Sequence, residues 1–460
     1  MVKNMSQPSS HLPASHEYGA PPFQLPTVGI LGLGYVGLTL STVLADIGFP
    51  VVGIDRDESL IADLKRGKPH FYEKGLEQML ASVDQRPRPP KYQVSLPEPC
   101  ADIYIVTVGT PIQRPSLEPN LDYVRSATSE VGRVLQRRNL VILRSTVPIG
   151  TTRNVVLPML EQTSGLKAGL DFDLAFCPER TIEGKALLEL RVIPQIIGGY
   201  NEASTKSVRE IFSRVTSTII NVGSIEAAEM LKIMDNTYRD MMFAYANQIS
   251  LVCNAYGLDM VPIVRASNQG YSRNNIPVPS PGVGGACLSK DPYILASVCR
   301  QAGIDPTLIV RGREVNEFMP VYTANRVYEA GTELGNGFSV SKVFVLGFAF
   351  KGKPETSDMR DSPTLDLLRE LTRRKAIVLG HDPMVPSNEI EALGVQAVTI
   401  EDGFASADAV IIMIDHLLYA DLDLSALVHG RSQPLIIMDG WNLYQDRQLH
   451  EHQKIIYLSL

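Results

Sequence analysis

The chain has 460 residues, 44% hydrophobic and 20% charged, the composition of a soluble globular protein long enough for two or three cores. A net charge of -7 argues against a broad nucleic-acid surface, so any phosphate binding must be focal. The cysteines, at positions 100, 177, 253, 287 and 299, show neither metal-ligand spacing nor a disulfide framework, which suits a reducing cytoplasm and calls for no metal.

Residues 1–25 are rich in Ser, Pro and His and lack the apolar core of a signal peptide, so a loose tail is expected there. Gly, Asp and Ser interrupt every hydrophobic stretch before it is long enough to span a bilayer, so no membrane partner is expected. Between 26 and 222, short β-branched runs alternate with helical segments. The runs TVGILG, PVVGID, ADIYIVTV, NLVILRS, DLAFCP, QIIGG and STIINVG read as strands of a doubly wound, Rossmann-like parallel sheet. The helix after the first strand is expected to stop at Gly48.

From Ser224 to Gly257 the chain runs without proline or interior glycine, which predicts a helix roughly 50 Å long. Its apolar positions wrap more than one face, as in a helix buried between domains or against a second copy of itself. A central helical, dimerising segment is therefore expected over 223–340. Alternation resumes with SKVFVLG, KAIVLGHD, AVIIMID and PLIIMDG, predicting a second Rossmann-like sheet over 341–460.

The first strand runs into GLGYVG, Gly32 to Gly37, at the start of the first helix. Gly32 permits the tight turn, Gly34 lets backbone approach a pyrophosphate, and Gly37 allows close helix packing; Tyr35 and Val36 lie between them on the helix end that attracts negative charge. Asp55 ends the second strand, where a carboxylate accepts hydrogen bonds from ribose hydroxyls and disfavours a 2′-phosphate. NAD is thus preferred over NADP, although Arg56 follows directly. VGTP, with Gly109 and Thr110, and STVP, with Thr146, end later strands at the sheet edge where ligands bind.

PSPGVGGACLSKDP places Cys287 in a glycine-rich loop before a helix expected to be capped by Asp291 and to begin at Pro292. The glycines are expected to bring backbone close to a ligand, and the helix end and Lys290 to favour thiolate. Taken alone, Cys287 would be a small buried apolar residue. Its companions change that: GLGYVG, VGTP, STVPIG, CPERTIEG, EMLKIMDN, PGVGGACLSKDP and GFAFKGKPETSDMRDSP follow one another in an order that resembles the UDP-glucose/GDP-mannose dehydrogenase family.

The resemblance implies a four-electron, NAD-dependent oxidation at carbon 6 of a nucleotide sugar, in polysaccharide biosynthesis. The intermediates would be an aldehyde, a cysteine thiohemiacetal and a thioester. Cys287 matches the nucleophile, while Lys232 and Asn236, on one helix face, match the pair that stabilises oxyanions. Glu179 matches a general base beside the sugar and Glu183 a glutamate near the nicotinamide. Thr146 matches the residue that holds the catalytic water, and Asp291 a carboxylate assisting proton transfer.

By the same resemblance Lys351, Gly282 and Gly284 contact the sugar nucleotide, and Lys290 and Arg360 reach the NAD. Arg273 matches an arginine that enters the neighbouring subunit's site. Arg180 in PERTIEG leans the substrate toward a UDP-N-acetylhexosamine, with UDP-glucose as the alternative. Trp441 stands where many relatives carry an arginine. Two other readings are a two-electron β-hydroxyacid dehydrogenase, which needs no cysteine, and a catalytically inactive nucleotide-sugar sensor.

Overall fold

In a computed structural model of the chain, residues 25–335, 338–444 and 455–460 are described. Apart from Leu25, the expected N-terminal tail lies outside them. The first part is built on strands β1 (Val28–Leu31), β2 (Val51–Ile54), β3 (Lys91–Gln93), β4 (Ile103–Val106), β7 (Leu140–Leu143), β8 (Asp173–Phe176), β9 (Gln195–Gly199) and β10 (Ile219–Asn221). A small hairpin, β5 (Ile112–Gln113) and β6 (Glu118–Pro119), interrupts the series. The sheet order is β10-β9-β8-β7-β4-β1-β2-β3. Because the order reverses beside β1, the C-terminal ends of β1 and β4 flank a crevice, and GLGYVG and VGTP leave from those ends.

Strand residues alternate between two apolar layers: Val28 and Ile30 pack into one, Leu31 into the other. One departure from the all-parallel expectation lies at the far edge, where β9 runs antiparallel to β8, with Ala175 opposite Gly199. The connection between them holds CPERTIEG and a helix of only 7 residues. β3 and the last strand, β16, were not foreseen; β3 is a short, polar KYQ segment with one buried side chain.

The second sheet comprises β11 (Lys342–Leu346), β12 (Ile377–His381), β13 (Gln396–Ala397), β14 (Ala409–Ile412), β15 (Leu435–Asp439) and β16 (Ile455–Ser459). Its pairings are all parallel, in the order β13-β12-β11-β14-β15-β16. GFAFKG follows β11, again beside the reversal. Both sheets therefore present their switch-point loops to ligands.

The long helix is real: it spans Ile225–Ala255, and Ser224 caps it by accepting from the Ala227 N–H at 3.1 Å. Its buried face is polar where an apolar one was expected, with Glu229, Lys232, Asn236, Asp240 and Asn247 all inward. Helices Asp291–Gln301 and Thr307–Glu333 pack along it. The opening helix, Tyr35–Ile47, ends at Gly48 with φ 111°, the left-handed stop read from the sequence. Among the described residues no helix is long and apolar enough to cross a membrane, and no group of His, Cys, Asp or Glu could hold a metal ion.

Candidate active site

The cofactor half forms at the β1–β4 crevice. Gly32 has φ 91°, and a Cβ on Gly37 would stand 1.8 Å from the Gly32 carbonyl oxygen, so only glycine lets the helix sit this close to the turn. No side chain caps the helix at Gly34 and no acidic residue lies in its first turn, leaving its amides and dipole to an anion. Gly34 and Gly109 have open space before them.

Asp55 closes the far side: its Oδ2 accepts from the Leu33 N–H at 2.7 Å and its Oδ1 from the Asp57 N–H at 3.0 Å. A depression of about 250 Å³ lies between Gly32, Gly34, Asp55, Val108, Gly109 and Tyr123. Arg56 stacks on Tyr123 at 4.4 Å, at the edge of that depression. Buried Thr110 keeps a hydroxyl without a hydrogen-bond partner among the described residues, as a ligand contact would require. These features fit a dinucleotide. The Tyr35 side chain turns away from the crevice: its hydroxyl bonds Glu73 and accepts from the Gly184 N–H at 3.1 Å. It thereby ties the fingerprint helix to the end of CPERTIEG.

The chemical half gathers around Cys287. Asp291, fully buried, accepts from Asn236 Nδ2 and, at 2.6 Å, from Lys290 Nζ. Asn236 Oδ1 in turn accepts from Arg239. Asp291 is therefore no cap; the helix starts at Asp291 itself and Lys290 occupies the cap position. The Cys287 side chain is reachable from the cleft, yet loss of hydration in its surroundings pushes the thiol up, and Asp291 adds to this. Lys232 and Lys290 oppose the shift without cancelling it, a direction contrary to the thiolate that the helix end and Lys290 were expected to favour.

Lys232 and Asn236 line a cavity of about 490 Å³ with Arg180, Asp235 and Arg239. Arg180 pairs with Asp235 at 3.1 Å, so the motif arginine does face this cavity. Thr146 lies just past β7 on the STVPIG loop. That loop is held by buried Glu229, which accepts from the Thr152 N–H at 2.8 Å and its hydroxyl at 2.6 Å; burial pushes this carboxyl up to about 7.

The two motif glutamates have opposite surroundings. Glu179 is paired with buried Arg144 at 2.6 Å and accepts from the N–H groups of Arg180 and Thr181 at 2.7 and 2.8 Å. Burial opposes its charge, but Arg144 and these donors overcome it and hold the carboxyl below its ordinary value. Here the Glu179 carboxyl is the ion-pair partner of Arg144. Glu183 is pushed up to about 7, first by burial and then by Asp358, against the pull of Arg360 and Lys351.

Lys351, brought down to about 8 by burial, donates to the Glu183 carbonyl at 2.7 Å. Arg360 clasps Asp358 at 2.6 Å and stands 3.6 Å from Glu183. Gly282 and Gly284 serve packing where ligand approach was expected: their Cβ atoms would stand 2.8 Å from Pro363 and 2.1 Å from the Asp361 carbonyl oxygen. Arg273 is exposed and stacked on Tyr271 at 4.6 Å, apart from the cysteine cluster. Sequence reasoning missed Arg144, Glu73 and Arg239. Arg144 had one signal, a lone cation directly after the apolar run LVIL.

Three domain patterns of one family match in order: the UDP-glucose/GDP-mannose dehydrogenase NAD binding domain over residues 26–216, the central domain over 226–318 and the UDP binding domain over 344–446. The chain belongs to the UDP-glucose/GDP-mannose dehydrogenase family. It is an NAD-dependent nucleotide-sugar dehydrogenase. It is similar to a UDP-N-acetyl-D-mannosamine dehydrogenase of Pyrococcus horikoshii, 31% identical, covering 91% of this chain and 96% of the relative. A solved structure of UDP-D-ManNAc dehydrogenase from that organism superposes with a TM-score of 0.84 at 31% identity, over 94% of this chain and 98% of that one. An NDP-N-acetyl-D-galactosaminuronic acid dehydrogenase of Ralstonia solanacearum is 29% identical over 92% of this chain and 97% of its own length. A UDP-glucose dehydrogenase structure from Pyrobaculum islandicum gives a TM-score of 0.82 at 28% identity, over 95% and 98% of the two chains.

The Arg144–Glu179 pair yields a prediction. Arg144→Met leaves a buried carboxylate without its cation and is expected to destabilise the fold by about 3–5 kcal/mol in denaturant melts. Arg144→Met combined with Glu179→Gln removes both charges and is expected to recover most of that loss. Equal losses in the single and double variants would contradict the pairing.

Proposed function

We propose that this dehydrogenase oxidises carbon 6 of a UDP-N-acetylhexosamine to the uronic acid through a thiohemiacetal and thioester on Cys287. The observation that carries the reading is the meeting of Cys287, Asp291, Asn236 and Lys232 from two separate segments, beside a cavity faced by Arg180. NAD, when bound, accepts a hydride in each of the two oxidations.

In this reading the Cys287 sulfur attacks the carbon 6 aldehyde as its proton is taken up within the cluster. Lys232 and the Asn236 amide donate to the oxygen as it gains charge. Loss of a hydride from the thiohemiacetal carbon leaves the thioester. Water then adds to the thioester carbonyl, and the C–S bond breaks to release the acid and return the sulfur.

For the proton of that water we favour Glu183 over Glu179. A group near 7 is both a usable base and a releasable acid at neutral pH, whereas Glu179 is committed to Arg144. Because the base is active when deprotonated, thioester hydrolysis is expected to rise with pH through about 7. Glu183→Gln is expected to flatten that limb and slow turnover by at least ~100-fold. An unchanged pH profile in single-turnover acid release would return the role to another group.

The N-acetylated substrate rests on Arg180 and on the relatives named for UDP-N-acetyl-D-mannosamine and NDP-N-acetyl-D-galactosaminuronic acid. Incubation with UDP-N-acetylmannosamine, UDP-N-acetylglucosamine, UDP-glucose and GDP-mannose tests it by NADH absorbance. Two NADH per sugar consumed are expected with an N-acetylated substrate. One per sugar would favour the two-electron reading, and binding without turnover would favour the sensor. Cys287→Ser is expected to bind NAD normally but release no acid; normal acid production would end the covalent route.

A homodimer is part of the same proposal. Met234, Tyr238, Tyr245, Val252 and Tyr256 leave an exposed apolar stripe on the long helix, and Tyr238, Tyr245 and Val252 recur every seven residues. A mass in solution near twice the 50.5 kDa of one chain is expected, and a monomer at micromolar concentration would oppose it. The setting we infer is cytoplasmic, in a pathway that builds polysaccharide from nucleotide sugars.

A further inference from the structure

Beneath the cysteine loop lies a buried polar cluster that the chemistry above does not use. Arg313, on helix Thr307–Glu333, is 2% exposed, and Asp240, on the long helix, is wholly buried. One terminal nitrogen of Arg313 donates to Asp240 Oδ1 at 2.6 Å. The same nitrogen lies 3.2 Å from the Val283 carbonyl oxygen and 3.3 Å from that of Leu288. Those two carbonyls bracket the segment Gly284–Cys287. The other terminal nitrogen reaches Glu317 at 3.3 Å, which also accepts from the Tyr293 hydroxyl at 3.0 Å.

Further bonds fix the carboxylate. Asn316 Nδ2 donates to the Asp240 side chain and to its backbone carbonyl, both at 2.9 Å. Asn247 donates to Asn316 at 2.9 Å and accepts from the Ser280 N–H at 2.8 Å, where the loop begins. Stability alone is a poor reason for this arrangement, since a buried ion pair loses more hydration than apolar side chains of the same size would. The loop, by contrast, needs anchoring. It carries Gly282 at φ 133° and Gly285 at φ 86°, and glycines leave backbone free to move unless something holds it.

We propose that Arg313, oriented by Asp240, is a positioning residue that fixes where the Cys287 sulfur stands relative to Asp291 and Lys232. It acts by pinning both ends of the cysteine loop, through the Val283 and Leu288 carbonyls, to one planar guanidinium. The proposal rests on Cys287 being the nucleophile. A lysine keeps the charge but is shorter and lacks the second terminal nitrogen that reaches Glu317, so it cannot hold the carbonyls, Asp240 and Glu317 with one rigid group.

The test compares the full-length protein with Arg313→Lys and with the charge-neutral pair Asp240→Asn/Arg313→Gln, each first checked for a native thermal melt. Alkylation of Cys287 by iodoacetamide is followed from neutral to alkaline pH by peptide mass, with Cys287→Ser as the blank. Once unpinned, the sulfur leaves its fixed place beside the Asp291 carboxylate, so its titration midpoint is expected to fall by about one pH unit, making alkylation roughly tenfold faster at neutral pH. Acid formation is expected to slow by roughly tenfold or more through lower kcat, with KM for NAD within about twofold. This opposite movement of thiol reactivity and turnover is what a merely structural residue would not produce.

An alkylation profile that overlays the wild type in either natively melting variant overturns the proposal. If Arg313→Lys does not fold, the neutral pair gives the same readout; if neither folds, Asn316→Ala, which withdraws one donor from Asp240, must shift the profile in the same direction or the proposal falls. Normal acid production by Cys287→Ser would sink the nucleophile reading while leaving the alkylation result to judge the loop.

Discussion

The site depends on a close approach between two loops. At Gly284 the backbone passes so near the Asp361 carbonyl that a Cβ would stand 2.1 Å from its oxygen, and at Gly285 a Cβ would stand 2.6 Å from the Phe350 ring. These glycines let the cysteine loop lie flat on the turn that starts helix Pro363–Arg373. The Gly285 N–H donates to the Asp361 carbonyl at 3.2 Å across the same seam. Cys287 thereby stands where loops from both sheets meet. Lys351 completes the junction by donating to the Glu183 carbonyl, so an element after β11 holds an element after β8.

That junction also sorts the charges. Glu179 and Glu183 lie in one motif and have the same intrinsic acidity, yet their surroundings drive them apart. Glu179 points into the first sheet's end, where Arg144 and two backbone donors favour the carboxylate. Glu183 lies at the seam, where burial and Asp358 favour the acid. Arg360 and Lys351 limit that rise, which leaves the group near neutrality and out of the fully protonated range. Divergence of this kind between neighbouring carboxyls is what a division of labour requires, and the reading proposed for Glu183 rests on it.

Much of this was legible in the sequence, for identifiable reasons. Strands such as VGILG and FVLG alternate or run apolar, the long helix lacks breakers, and Gly48 stops a helix by a local rule. The grouping of Cys287, Asp291, Lys232 and Asn236 was readable because each belongs to a motif. What was hidden depends on distant partners. No local pattern shows that Arg144 will meet Glu179 across 35 positions, or that Tyr35 will turn to Glu73 across 38. The direction of β9 was equally hidden, because a run such as QIIGG shows a buried strand and not which way it pairs. The glycines of the cysteine loop were found, but their close approach to Pro363 and Asp361 was not, since sequence shows that a Cβ is missing and not what occupies its place.

The long helix joins these threads. Lys232, Asn236 and Asp240 follow one another at intervals of four on its buried face, so one rigid element carries both the proposed oxyanion donors and the proposed anchor beneath the cysteine loop. The exposed stripe through Tyr238, Tyr245 and Val252 lies on the opposite side. Residues on a single helix keep fixed relative positions, so burying that stripe would immobilise the catalytic face at the same time. Tyr238 and Arg239 also line the cavity beside Lys232, which brings the exposed face to the edge of the site itself. Any second copy seated on the stripe would therefore border that cavity.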